Sequence, residues 1–232
     1  MLQNYCGILE DYVYESSQQN DPQAVVMLRS IHHGIRTLNA IRTLLQSDLE
    51  NACCAAALAR GIFEASVRIL WGTRKLNGSQ DHWARLQKHW ALEDKKWAEQ
   101  ARNFLQTQEH AEKIIEARED IVNNDIEKAP PIEQMLRDIE IADYEQGINN
   151  SRMADFYYAI CYRILCRAAH VHPAALRRPV IDDFIGQTRI ACIMATNWFC
   201  QAICHIAAEN KKEEIEKAVK QVYDLCKDRQ YE

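Results

Sequence analysis

The chain has 232 residues, 47% of them hydrophobic, and carries 28 Lys plus Arg against 33 Asp plus Glu, for a formal charge of -5. That length supports a sizeable core and fits a single domain spanning 1–232. The acidic balance, with no basic tail or Lys/Arg block, excludes a broad electrostatic footprint on nucleic acid, so any RNA contact must be local.

No apolar run approaches the ~18 residues of a membrane-spanning helix, and Glu10 and Asp11 interrupt the N-terminal stretch too early for a secretory leader. A soluble chain with no membrane partner is expected. Its nine cysteines are odd in number, sit among apolar residues and form no CxxC pair. They read as reduced interior thiols of a cytoplasmic protein, with no structural zinc, no other metal and no cofactor implied.

Helix-period patterns run through the whole sequence, whereas alternating β-branched runs bounded by tight turns are absent. The predicted helices are, in order, about 2–18, 23–47, 51–75, 80–122, 131–141, 152–171, 180–209 and 211–228, with boundaries good to ~2 to 4 residues. Each apolar stripe needs another helix to cover it, so the expected fold is an all-α, single-domain bundle of long antiparallel helices. Asp21-Pro22 suits a helix entry, Asn77-Gly78-Ser79 a stop followed by a new cap, and Pro130-Pro131 a forced interruption.

In the second helix Arg29, His33 and Arg36 form a stripe that reads first as a solvated face and second as an extension of an anion-binding groove. The third helix is small and apolar apart from Arg60, Glu64 and Arg68 at four-residue steps. Glu64 can therefore pair with either arginine and fix a guanidinium in direction. Gly61 and the flanking alanines invite another helix backbone to approach closely. A half-exposed ion-pair ladder is the competing interpretation of the same residues.

Trp83, Trp90, Trp97 and Phe104 recur every seven residues along the predicted 80–122 helix. They are expected to form a packing seam rather than a base-stacking platform. Further on, His205 lies near Cys200 and Cys204, where core thiols explain the cluster more simply than a metal. Lys211 to Lys220 alternates Lys and Glu like a solvent-facing helix.

The chemistry-bearing stretch is YRILCRAAHVHP, residues 162–173. Arg163, Arg167 and His170 fall at i, i+4 and i+7 on one helical face, where an arginine can hold a phosphate and a histidine can transfer a proton near neutral pH. His172 lies about 140° from Arg167 if the helix continues, but Pro173 biases it out of helical geometry. Two arginine–histidine pairs therefore remain open. Tyr162, a turn after Tyr158, is a secondary candidate whose hydroxyl could orient a histidine or a ligand. The bland reading of the stretch is a charged helix end whose histidine meets the terminal carbonyls.

Two segments, LARGIFEASVRIL at residues 58–70 and YRILCRAAHVHP at 162–173, resemble DUF5677, a bacterial family of helical proteins of unknown function. The second also resembles the Arg-x4-6-His signature of the HEPN superfamily, through Arg167 with His172 or Arg163 with His170. That resemblance implies a helical, dimeric, metal-independent ribonuclease or an inactive binding module of the same build. Apolar Ile164 and Ala168 follow the arginines, where active ribonucleases of that superfamily often carry a polar residue.

The leading expectation is a HEPN-like RNA-binding protein, with metal-independent endoribonuclease activity as its strongest form. His170 or His172 would act as acid/base, Arg163 or Arg167 would contact phosphate, and Arg60, Glu64 and Tyr162 would shape the site. The alternative is a non-catalytic helical interaction or regulatory protein in which the same residues form structural ion pairs. RNA, a second copy of the chain and a regulatory protein are the partners these readings name.

Overall fold

The structure, a computed structural model, describes residues 22–47, 51–73, 81–102, 108–145, 154–169 and 181–206. Every element is helical, with no strand among the described residues, as the periodicity requires. In chain order they are α1 (Pro22–Ser47), α2 (Ala52–Thr73), α3 (His82–Ala101), α4 (Gln108–Asn123) and α5 (Ile132–Glu145). There follow α6 (Ala154–Phe156), a π-helical segment (Tyr157–Tyr162), α7 (Arg163–Ala169) and α8 (Ile181–Ile206). The predicted helices at 2–18 and 211–228 lie outside the described residues, as do the Asn77-Gly78-Ser79 turn, His170, His172 and Phe104. No described helix is long and apolar enough to cross a membrane.

The chain divides into two compact units, Met1–Leu70 with Ser151–Glu232, and Trp71–Asn150. In the first, Ala55, Ala56 and Ala59 of α2 are fully buried, as are Phe63, Leu165, Ala191, Ala195 and Phe199. The close helix approach expected at Gly61 occurs instead at Gly34 of α1. Gly61 is exposed and a Cβ there would meet nothing, whereas a Cβ on Gly34 would collide with the Phe199 ring of α8. The buried stripe of α2 follows its alanines and Phe63, so Gly61 lies on the other side.

In the second unit Trp71 is the centre. His82 stacks on one side of it, with ring centroids 4.1 Å apart and planes 9° from parallel. The Arg85 guanidinium lies 5.4 Å over the indole, and Trp71 Nε1 donates to Asp138 Oδ2 at 2.8 Å. His82 Nδ1 lies 2.9 Å from the Trp71 carbonyl, which can only accept, so that nitrogen carries the proton. Asp81 caps α3, accepting from Trp83 and Ala84 backbone N–H groups at 2.9 and 3.2 Å. The cap was expected near Ser79.

The single helix predicted over 80–122 is two, α3 and α4, running antiparallel. Ion pairs Arg85–Glu127, Asp94–Arg118 and Arg102–Glu112 fix the register, each partner number falling as the other rises. The aromatic seam changes accordingly. Trp83 is buried and packs edge-on against Trp90, but Trp97 is 54% exposed, while Ala91 and Ala98 take the buried positions. A straight helix drifts ~20° per heptad, so a seven-residue repeat rotates out of the core and its alanine neighbours rotate in.

Candidate functional site

Glu64 gathers the site. Arg60 and Arg68 lie one turn before and after it on α2, because a spacing of four returns a side chain to nearly the same helical face. Arg60 Nε donates to Glu64 Oε1 at 2.9 Å, and Arg68 Nη1 to Oε2 at 3.3 Å. From the π segment, 98 residues further along, Tyr162 Oη donates to the same Oε1 at 3.1 Å. The segments 58–70 and 162–173 therefore meet through side chains, with three donors on one carboxylate.

Packing holds Tyr162 in place. Its ring lies 6.0 Å from that of Phe63 and 5.5 Å from that of Tyr158, and the Arg60 guanidinium stands 5.8 Å over it. Phe63 is fully buried and meets Trp198 edge-on at 5.6 Å, and Trp198 in turn meets Tyr157 at 5.1 Å. The backbone that carries these tyrosines is π-helical: the Arg163 N–H reaches back five residues to the Tyr158 carbonyl. A widened turn of this kind is uncommon and recurs at functional sites. Sequence periodicity did not signal it.

Electrostatics follow from this geometry. Burial, then the Glu64 charge and the neighbouring Cys166, push the Tyr162 phenol up to about 12, with Arg60 opposing. At neutral pH the phenol is a donor and not a base. Burial works against the charged form of Arg60, but its hydrogen bond to Glu64 and the proximity of Cys166, Glu64 and Tyr162 outweigh this and raise its pKa. Glu64 shares its two oxygens among three donors. The side chains are 29% (Arg60), 18% (Glu64) and 25% (Arg68) exposed, so the cluster lies at the edge of the core within reach of solvent.

Arg68, which was not among the residues expected to shape the site, completes the cluster. Its Nε is buried with no hydrogen-bond partner among the described residues. Two arginines on one carboxylate leave a local positive excess. Cys166, read from sequence as an interior thiol, stands half-buried beside Arg60 and Tyr162, as its position one turn after Tyr162 allows.

Arg163 and Arg167 of α7 are both exposed, with no acidic partner among the described residues. His170 and His172 lie outside the described residues. His33 and Arg36 are exposed on α1. Cys54, Cys161, Cys166 and Cys192 are free thiols. Cys161 donates to the Ala191 carbonyl, and burial pushes both its thiol and that of Cys192 upward. Among the described residues no group of three His, Cys, Asp or Glu side chains could hold a metal ion.

Fold and site together define an all-α protein whose arginines converge on one carboxylate and one tyrosine. Residues 24–187 match the model of a family of unknown function, DUF5677, and the chain belongs to that family. The matched stretch contains both segments that meet at Glu64. No curated protein matches the chain, and no solved structure does.

Proposed function

We propose that this protein binds RNA and cleaves it without a metal, as a HEPN-like ribonuclease of the cytoplasm acting as a homodimer. The observation that carries this reading is the meeting of Arg60, Arg68 and Tyr162 on Glu64, at the start of the helix that presents the exposed Arg163 and Arg167, which have no acidic partner among the described residues. Guanidiniums suit phosphate because their planar fork matches its oxygens and their charge persists at any working pH. Glu64 and Tyr162 are positioning residues.

The proton transfers fall to His170 or His172, since the Tyr162 phenol is too weakly acidic and Glu64 is occupied. A neutral imidazole takes the ribose 2′-OH proton as that oxygen attacks the adjacent phosphorus. The bond from phosphorus to the 5′-oxygen breaks, and an imidazolium protonates the leaving oxygen. The products are a 2′,3′-cyclic phosphate and a 5′-hydroxyl. No co-reactant is consumed.

The test is cleavage of single-stranded RNA in excess chelator by the wild type, His170→Ala, His172→Ala and the double variant. Chelator-insensitive cleavage, lost in at least one single variant that still melts like the wild type, is expected. Equal cleavage by all four proteins would remove the histidine chemistry.

A second reading, a non-catalytic interaction or regulatory protein, draws on a different feature of the same cluster. Both Glu64 oxygens are satisfied within the chain, as in a structural ion-pair network. It predicts no cleavage by any variant and a loss of stability or assembly when Glu64 or Arg60 is truncated.

A further inference from the structure

α1 holds three arginines and two histidines between Pro22 and Ser47 and not one Asp or Glu. Its inner face is Gly34, Ile35, Leu38 and Ile41, all buried, with Gly34 against Phe199 of α8. Arg36 and Arg42 are exposed and have no acidic partner among the described residues. Arg189 of α8, also exposed, donates to the Leu45 carbonyl near the end of α1 at 3.4 Å, bringing a third guanidinium to that helix.

An ordinary solvated face mixes both signs of charge, and the Trp71–Asn150 unit does so. Every described arginine there, Arg85, Arg102, Arg118 and Arg137, is paired with a carboxylate. The cation type differs as well. No lysine occurs before Lys75 or between residues 151 and 210, so the described helices of the first unit carry arginine alone. Lysine serves solvation equally well, whereas arginine is the better match to phosphate oxygens.

We propose that the exposed side of α1, through Arg36 and Arg42 with Arg189 of α8, is a second contact surface for the phosphate backbone of RNA, outside the Glu64 cluster. This rests on the RNA-binding reading above and extends it. Arg36 and Arg42 are about 9 Å apart along the helix axis and about 120° apart around it, at ~1.5 Å and ~100° per residue, so they leave the helix in different directions and would take separate phosphates along one strand. Such contacts position the strand without reading its sequence.

Fluorescence anisotropy of a labelled single-stranded RNA at several salt concentrations tests this. The proteins compared are the wild type, Arg36→Gln/Arg42→Gln, and Lys113→Gln/Arg137→Gln, which removes the same charge from the other unit. The α1 variant should bind about tenfold more weakly, and its slope of log affinity against log salt should fall by about 1.4, or ~0.7 per lost phosphate contact. The control should keep both values, and all three proteins should melt alike.

A wild type that binds while the α1 variant matches the control would overturn the second surface and leave the RNA reading standing. No binding by the wild type would overturn both. Unchanged RNA binding by the α1 variant, with lost binding to phosphatidylserine vesicles, would replace RNA by an anionic membrane surface.

Discussion

The two compact units use charge in opposite ways. Between Trp71 and Asn150 there are eleven Lys plus Arg and sixteen Asp plus Glu, and each described arginine has its own carboxylate. The other unit has seventeen of each, yet from Pro22 to Thr73 the only acidic residue among the described ones is Glu64, shared by two arginines and a tyrosine. Arg36, Arg42, Arg163 and Arg167 remain exposed with no acidic partner among the described residues. Pairing Arg85, Arg102 and Arg118 across elements fastens helices and fixes register. Placing two arginines on one carboxylate leaves positive charge uncompensated among the described residues.

The largest expected effects are common to both units. Phe63→Ala and Trp71→Ala each remove a buried aromatic and should cost about 3–5 kcal/mol in denaturant unfolding. A small loss for Phe63→Ala alone would mean that the aromatic support of Tyr162 is not a core. Next comes Glu64→Gln, which leaves two partly buried guanidiniums without their carboxylate. About 2 kcal/mol is expected, below the fully buried case because the cluster is partly solvated. Glu133→Gln in the exposed Arg137 pair of the second unit should stay within about 0.5 kcal/mol. Equal losses for the two glutamates would erase the distinction between the units.

Smaller again is Tyr162→Phe, which removes one hydrogen bond to Glu64 and should cost about 1 kcal/mol. The same residue gives a pH signature. Its folded pKa, about 12, lies above the ordinary ~10 of a phenol. Its contribution to stability is therefore complete below pH ~10 and lost as pH rises through about 12. Ultraviolet titration of phenolate should show one tyrosine ionising near pH 12 and no such step in Tyr162→Phe. Ionisation of that tyrosine at the ordinary value would contradict its burial against Glu64.

Much of this was legible in the sequence. The helical period and the four-residue steps of Arg60, Glu64 and Arg68 follow from residue spacing, and Arg60, Glu64 and Tyr162 were expected in one site, whereas the contact between Tyr162 and Glu64 comes from the structure. Other features rest on tertiary contacts that spacing does not encode. No glycine or proline marks the change from α3 to α4 between Ala101 and Gln108, so a helix-period pattern runs through it. Gly34 and Gly61 look alike in sequence, and only the Phe199 ring tells them apart. The π-helical segment has no periodic signature, because one additional residue in a turn changes the hydrogen bonding and not the composition.

The contrast between the units is tested most directly by where RNA lies. Single-stranded RNA carrying a photoreactive uridine would be crosslinked to the full chain and the attached peptides mapped by mass spectrometry. Crosslinks are expected in the arginine-rich unit, within residues 22–70 and 154–206. Crosslinks concentrated between Trp71 and Asn150, or none at all, would contradict it.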